Sequence, residues 1–191
     1  MDRGYLYLLI GALLMASTLF PFNINIPFFS IEFFGYLLIL MGIREMRTSA
    51  KELKNAFSFA VVTLALRFIL RLFPIPTGPA APFYDIFPIL NIFFAVGIFF
   101  WLFKAEYMWS PHTTKRIDWL MYSIVALIRL VIYGIITFPT VSSRILPPNL
   151  VVNIFEGFQF VNFLYYAVLI YILVKLYLEA RRNSSGLKRW N

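Results

Sequence analysis

The sequence contains no cysteine and only one histidine, and these absences exclude several kinds of site. Without cysteine there is no disulfide bond, no thiolate nucleophile and no iron–sulfur ligation. His112 lies in a linker between apolar segments, so neither a metal held by several histidines nor a Ser-His-Asp triad is expected. The chain also lacks a glycine-rich phosphate loop. We therefore expect no enzymatic activity, no metal and no cofactor.

Charged residues are also scarce, whereas apolar residues are in large excess. Of the 191 residues, 61% are hydrophobic and 14% are charged, and the mean hydropathy is +0.78. No soluble domain buries so much apolar surface, so the composition predicts a membrane protein with the lipid bilayer as a partner. The formal net charge of +8 comes from basic residues between apolar segments, which is typical of cytoplasmic loops. We do not expect nucleic-acid binding.

Six apolar stretches approach the length of about 20 residues that a helix needs to cross a bilayer. They are residues 5–20, 28–43, 56–73, 84–103, 117–138 and 150–178. The predicted fold class is therefore an all-α integral membrane protein with six transmembrane helices. The first stretch resembles a signal peptide but continues into Pro21 without a convincing cleavage site. We interpret it as a retained helix, with cleavage near Ala16 as the alternative.

The basic residues predict the orientation of these helices, because lysine and arginine are retained on the cytoplasmic side of a membrane. Nearly all of them follow the second and fourth stretches or follow or close the sixth: Arg44, Arg47, Lys51, Lys54, Lys104, Lys115, Arg116, Lys175, Arg181, Arg182, Lys188 and Arg189. Arg144 is the only basic residue in the opposite loops. Both termini are predicted to be cytoplasmic, in the plasma membrane of a bacterium. Residues 1–182 form one predicted domain, and residues 183–191 form a basic cytoplasmic tail.

The six stretches also show an internal repeat of three helical hairpins, at about residues 5–43, 56–103 and 117–178. The second helix of each hairpin opens with an acid, at Glu32, Asp85 and Glu156. The fourth and sixth stretches match further without a gap, because Asp85, Phe87, Asn91 and Lys104 align on Glu156, Phe158, Asn162 and Lys175. Three hairpins of the same orientation are therefore predicted. The alternative is that any membrane hairpin collects a proline turn and an interfacial acid.

Three arginines lie inside segments that are otherwise apolar enough for hydrocarbon. Arg67 and Arg71 stand one helical turn apart in LALRFILRLF, and Arg129 lies near the middle of the fifth stretch. A charge at the bilayer centre costs about 2.5 to 3.5 kcal/mol on insertion scales, so these side chains are expected to face partners or a wet cavity. The three acids of the repeat fall in the same predicted outer half.

Two interpretations of these charges stay open. In the structural one, ion pairs tie the hairpins together, and Glu32 and Asp85 are the candidate partners of the arginines. In the functional one, a polar cavity open to the outside binds a small anionic solute, because guanidinium suits carboxylate and phosphate. The candidate ligand-binding residues are then Arg67, Arg71, Arg129, Glu156, Asn91, Gln159 and Asn162.

Two resemblances bear on function. The segment IEFFGYLLILMG, residues 31–42, resembles a hairpin segment of small, uncharacterised multi-pass membrane proteins of bacteria. The size, six spans and cytoplasmic termini are similar to the substrate-binding subunits of energy-coupling-factor vitamin transporters, and Ala12 to Ala16 resembles their Ala-x-x-x-Ala docking motif. This likeness implies solute binding and a membrane protein partner at the Ala12 and Ala16 face. The alternative is a non-catalytic scaffold or regulatory subunit.

Overall fold

The chain folds into six α-helices in the described residues, which are 2–17, 31–46, 50–72, 86–109, 113–137 and 148–187 of this computed structural model. At residues 2, 71, 137, 148–156 and 184–187 the description covers the backbone alone. The helices are α1 (Asp2–Ala16), α2 (Ile31–Glu45), α3 (Lys51–Leu72), α4 (Ile86–Trp109), α5 (Thr113–Thr137) and α6 (Pro148–Leu187). The predicted all-helical class is therefore confirmed.

Four of these helices are long and apolar enough to cross a membrane. The qualifying segments are Lys51–Leu70 in α3, Ile86–Trp109 in α4, Thr113–Ile136 in α5 and Gly157–Asn183 in α6. The other two helices, α1 and α2, have 15 residues each, or about 22 Å of helix. That is shorter than the hydrocarbon core of about 30 Å, and residues 18–30 between them lie outside the described part of the chain.

The helices are longer than the predicted spans on the side that carries the basic residues. Helix α3 begins at Lys51 rather than at Ala56, and α4 continues to Trp109 rather than ending at Phe103. Helix α6 runs on to Leu187, so the first residues of the predicted tail are helical. The hydrophobic runs thus located the apolar centre of each helix, while the charged ends continue the same helix into more polar surroundings.

Each helix contacts the next one along the chain, and α6 also contacts α1. These contacts close the six helices into a ring. Around this ring each helix contacts the other helix of its predicted hairpin on one side and a helix of a neighbouring hairpin on the other. The contacts alone therefore do not show three repeated units. The repeat and the side on which the termini lie stay predictions.

Glycines let the backbones of α1 and α2 approach closely. Gly11 faces Gly35, and a Cβ atom built on Gly11 would lie 2.6 Å from the carbonyl oxygen of Gly35. Seven residues away on each helix, a Cβ on Gly42 would lie 2.7 Å from the carbonyl oxygen of Gly4. No side chain fits at such a distance from a backbone atom. The two Gly-x6-Gly pairs therefore fix the register of α1 against α2.

Replacing Gly11 with alanine is expected to lower the free energy of unfolding by about 1 to 3 kcal/mol, as in other overpacked cores. The matched control is Gly134→Ala in α5, where an added Cβ meets nothing within 4 Å. There the better helix propensity of alanine should leave stability unchanged or raise it by up to about 1 kcal/mol. Unfolding of the purified variants in detergent measures both effects. Equal stability of the two variants would contradict the close packing of α1 on α2.

The interior of the ring contains aromatic as well as aliphatic side chains. The largest fully buried ones are Tyr36, Tyr122, Tyr165, Phe99 and Phe103. Phe99 and Phe103 of α4 both pack on Tyr122 of α5, with the Phe103 and Tyr122 ring centroids 5.0 Å apart. Each buried tyrosine brings a hydroxyl group into the core, where it needs a partner. The core of the ring therefore contains polar groups as well as apolar ones.

Candidate functional site

The first part of the site is an ion pair between α3 and α2. Both Nη atoms of Arg67 bond the carboxylate of Glu32, Nη1 to Oε2 and Nη2 to Oε1 at 3.3 Å. The guanidinium also lies over the ring of Tyr36, with Cζ 4.6 Å from the ring centroid. A two-pronged pair of this kind fixes orientation as well as charge. The side chains of Arg67 and Glu32 are 20% and 22% exposed, so the pair is not sealed.

The second part is Arg129, which α5 directs towards α6. Its Nε donates to Oδ1 of Asn162 at 2.7 Å, and its Cζ lies 4.2 Å from the ring centroid of Tyr165 and 5.3 Å from that of Tyr166. The residue is only 7% exposed. Among the side chains that the structure describes, no carboxylate lies within ion-pairing distance of Arg129. Its described contacts are therefore with neutral groups, the Asn162 amide and the rings of Tyr165 and Tyr166.

Two hydrogen bonds of the Tyr122 hydroxyl group join the helices next to Arg129. Tyr122 lies 2.9 Å from the carbonyl oxygen of Val96 and 2.9 Å from the hydroxyl of Tyr165. Because a hydroxyl group has one hydrogen and the carbonyl can only accept, Tyr122 donates to Val96 and Tyr165 donates to Tyr122. These bonds tie α4, α5 and α6 together at one level of the ring.

The two arginines belong to one cluster inside the ring, although they come from helices that are not neighbours. Tyr36 and Tyr166 each lie within electrostatic range of both guanidiniums. The arginine–tyrosine cluster is defined here as Glu32, Tyr36, Arg67, Tyr122, Arg129, Asn162, Tyr165 and Tyr166. Its described ionisable groups are two guanidiniums and one carboxylate besides the tyrosines, so it carries an excess of one positive charge. That excess suits an oxyanion.

Helical periodicity explains why these side chains converge. In α3 the residues Ala56, Ala60 and Thr63 are fully buried, and Arg67 follows on the same face one turn later. In α6 the face that carries Asn162 continues with Tyr165 and Leu169, both 0% exposed. The small alanines allow α3 to approach the ring interior, so a long arginine side chain on that face reaches α2.

The remaining predicted site residues differ in burial, and some of them lie outside the described residues. Asn91 is 8% exposed, and its Oδ1 has no hydrogen-bond partner among the described residues. Gln159 is exposed and does not join the buried face of α6. The side chains of Arg71 and Glu156, and Asp85 as a whole, lie outside the described residues. The structure therefore brings Arg67 to Glu32 and Arg129 to Asn162, and it leaves Gln159 apart.

A second polar network at the opposite end of the ring was not foreseen from the sequence. Glu106 of α4 is 5% exposed and accepts hydrogen bonds from the Tyr5 hydroxyl and from Nζ of Lys115, the latter at 3.2 Å. Lys115 also lies 3.8 Å from a carboxylate oxygen of Glu179. These contacts join α1, α4, α5 and α6. We name Tyr5, Glu106, Lys115 and Glu179 the Glu106 network.

Beside the Glu106 network, α5 and α6 are joined by one more buried acid. Asp118 is 7% exposed, and its Oδ2 accepts from Nζ of Lys175 at 2.5 Å. The sequence interpretation used Lys115 as a sign of membrane orientation, and Lys175 for that and for the repeat alignment, but neither as an ion-pair partner. The missed signal was an acid near each lysine at the same predicted depth, Glu106 and Asp118. Positive residues at this end of the bundle are thus structural partners as well.

Ala12 and Ala16 face this chain's own helices. They are 0% and 6% exposed, within the core of the ring. A protein that docked on this pair would have to displace other helices of the same chain. An interaction through the Ala12 and Ala16 face stays a prediction.

No known protein family, curated protein or solved structure matches the chain. The two resemblances drawn from the sequence stay predictions.

Proposed function

We propose that the chain is a non-enzymatic solute-binding or transport component of a bacterial plasma membrane. In this proposal all six helices cross the bilayer, both termini are cytoplasmic, and the arginine–tyrosine cluster binds a small anionic solute from the outer side. Four helices with membrane-spanning length and the one-sided distribution of basic residues support the placement. The charge excess of the cluster supports the ligand class.

The observation that carries the proposal is the environment of Arg129. A guanidinium that is 7% exposed and bonded to an amide oxygen has lost its hydration without gaining a described counter-ion. Such a charge is costly unless an anion compensates it. A bound carboxylate, phosphate or sulfate group supplies that charge, and the ordinary role of ionisable residues inside membrane bundles is functional.

Among the described side chains, no carboxylate lies within ion-pairing distance of the Nη atoms of Arg129. Asn162 accepts the Nε hydrogen, and Cζ of Arg129 lies over the rings of Tyr165 and Tyr166. The hydrogens on the two Nη atoms lie in the guanidinium plane, where they fit an oxyanion in a two-pronged geometry. Asn162, Tyr165 and Tyr166 are then positioning residues. Arg67 is already paired with Glu32, so Arg129 carries the surplus positive charge of the described cluster.

Thermal unfolding of the purified protein in detergent tests this function. Carboxylates, phosphate and sulfate should raise the unfolding midpoint, and an anion at a hundred times its Kd should add about 2.7 kcal/mol to the free energy of unfolding. Neutral vitamin-like solutes should not. Sodium chloride at the same ionic strength separates site binding from screening. A panel in which no oxyanion stabilises the protein beyond the chloride control would contradict the proposal.

A second candidate, a scaffold or regulatory subunit without a ligand, is favoured by the ion pairs that are already complete. Glu32 is engaged by Arg67, Glu106 by Lys115 and Asp118 by Lys175. In this candidate every charge serves only to join helices, and the chain acts through another protein. It should then purify with a fixed membrane protein partner from its native membrane. Its unfolding midpoint would then respond to that partner and to no solute in the panel.

A further inference from the structure

We infer that Asn91 is a second contact for the solute, and that the solute carries a hydroxyl or N–H group that donates a hydrogen bond to Oδ1 of Asn91. This inference rests on the proposed function. It narrows the ligand class at the same site from any small anion to an anion that also carries a hydrogen-bond donor. Arg129 then supplies the charge, and Asn91 selects among anions of equal charge.

The side chain of Asn91 is a buried hydrogen-bonding group. The residue is 8% exposed, and its Oδ1 is buried and has no hydrogen-bond partner among the described residues. Such an oxygen is unfavourable, because it has lost its hydrogen bonds to water and has gained none in return. Bulk water does not reach it, so its partner has to be enclosed together with it.

Buried hydroxyl groups of the neighbouring helices use their hydrogens elsewhere. On α3, Thr63 donates to a carbonyl oxygen of its own helix at 2.8 Å. On α5, Tyr122 donates to the carbonyl oxygen of Val96, and on α6 Tyr165 donates to Tyr122. A hydroxyl group has one hydrogen, so none of these three is a donor for Asn91. A donor on the solute supplies the missing hydrogen bond.

Asn91 lies at nearly the same depth in the ring as Arg129. The Tyr122 hydroxyl bonds the carbonyl oxygen of Val96 at 2.9 Å, which fixes the register of α5 against α4. Asn91 stands five residues before Val96, and Arg129 stands seven residues after Tyr122. The two helices are consecutive, pack on each other and run in opposite directions, so both offsets point to the same end of the ring. They amount to about 7.5 Å and about 10.5 Å, a difference of less than one helical turn.

Both side chains also lie on helix faces that are buried in the ring. On α4 the buried face that contains Asn91 continues to Phe99, whose ring packs on Tyr122. On α5 the buried face that contains Tyr122 continues two turns later to Arg129. The axes of packed helices are about 8 to 10 Å apart, so side chains at one level on two such faces are able to contact the same small molecule. A solute whose oxyanion lies on Arg129 therefore has Asn91 within reach of its other atoms.

Two pairs of carboxylates test the donor without any mutation. Glycolate is compared with propionate, and 3-hydroxypropionate with butyrate. Within each pair the charge and the number of non-hydrogen atoms are equal, and a hydroxyl group stands in place of a methyl group. In at least one pair the hydroxylated anion should bind the wild-type protein at least about fivefold more tightly, because the buried acceptor gains its hydrogen bond. Calorimetric or thermal-shift titration in nanodiscs near neutral pH measures the four affinities.

The variant Asn91→Leu tests the residue itself, because leucine keeps a similar shape without the acceptor oxygen. Its preference for the hydroxylated anion should disappear, whereas its affinity for the parent carboxylate should stay unchanged. The matched control is Asn55→Leu in α3, where the asparagine is partly exposed near the opposite end of the ring. That control should keep the wild-type preference.

Each outcome decides between the two proposals. Equal affinities within both pairs, or a preference that Asn91→Leu retains, overturn the role of Asn91 and leave anion binding intact, and an enclosed water molecule is then its partner. If none of the four carboxylates binds, this inference is overturned, and if sulfate and phosphate also fail to bind, the proposed function is overturned with it. If Asn91→Leu does not fold, the wild-type comparison of the two pairs still decides the matter.

Discussion

Replacing Lys115 with methionine will lower the free energy of unfolding by about 3 to 5 kcal/mol, the usual effect of removing one partner of a buried ion pair. The side chains of Lys115 and Glu106 are 16% and 7% exposed, so the carboxylate left behind cannot regain its hydration. The Tyr5 hydroxyl still donates to Glu106, but a neutral donor does not replace the lost charge. Reversible unfolding in mixed detergent micelles measures the loss.

Two further variants separate the ion pair from a general effect of losing a lysine. Lys54→Met removes an exposed lysine of α3 and should change stability by less than about 0.5 kcal/mol. Adding Glu106→Gln to Lys115→Met removes the stranded charge and should recover a large part of the loss, a coupling of at least about 1 kcal/mol. If Lys115→Met is as stable as Lys54→Met, the Glu106 network does not join the helices as described.

Replacing Arg129 with glutamine will weaken anion binding by at least about thirtyfold, because truncating a buried charged contact costs about 2 to 5 kcal/mol. Arg129→Lys should recover part of the affinity, since an ammonium keeps the charge but loses the planar, two-pronged geometry. Titration of methyl sulfate, a stable monoanion, into each variant measures the effect. Wild-type affinity in Arg129→Gln would place the anion elsewhere.

Variants of Glu156 distinguish two possible counter-ions of Arg129, a carboxylate of this chain and a bound solute. If Glu156 were the counter-ion of Arg129, each single neutral variant would destabilise the protein and Arg129→Gln/Glu156→Gln would recover stability. If the counter-ion is the solute, Glu156→Gln leaves anion affinity unchanged and the double variant loses it like Arg129→Gln. Unfolding and methyl sulfate titration on the same four proteins distinguish the two.

The number and location of the helices could be predicted from the sequence, because a run of apolar residues is a local signal. Apolar runs about as long as a membrane span predicted six helices, and the structure has six in the described residues, four of them of spanning length. The ends were less predictable. Lys51 and Trp109 belong to helices although they lie beyond the apolar runs, because charged and aromatic residues continue a helix as readily as they begin a loop.

The partners of the charges were harder to predict, because they depend on how each helix is rotated in the ring. Lys175 and Asp118 are 57 positions apart, and nothing local relates them. Gln159 was expected beside Asn162, but the buried face of α6 passes through Asn162 and leaves Gln159 exposed. By contrast, the glycines of α1 and α2 carried a usable signal, since Gly4 and Gly11 repeat the spacing of Gly35 and Gly42.

The most direct test of anion binding is a crystal structure of the protein grown with selenate, an oxyanion whose selenium scatters anomalously. The account predicts an anomalous peak within about 4 Å of the Arg129 guanidinium, with selenate oxygens on its Nη atoms. A carboxylate of this chain seated on Arg129, with no anomalous peak in the arginine–tyrosine cluster, would contradict the account.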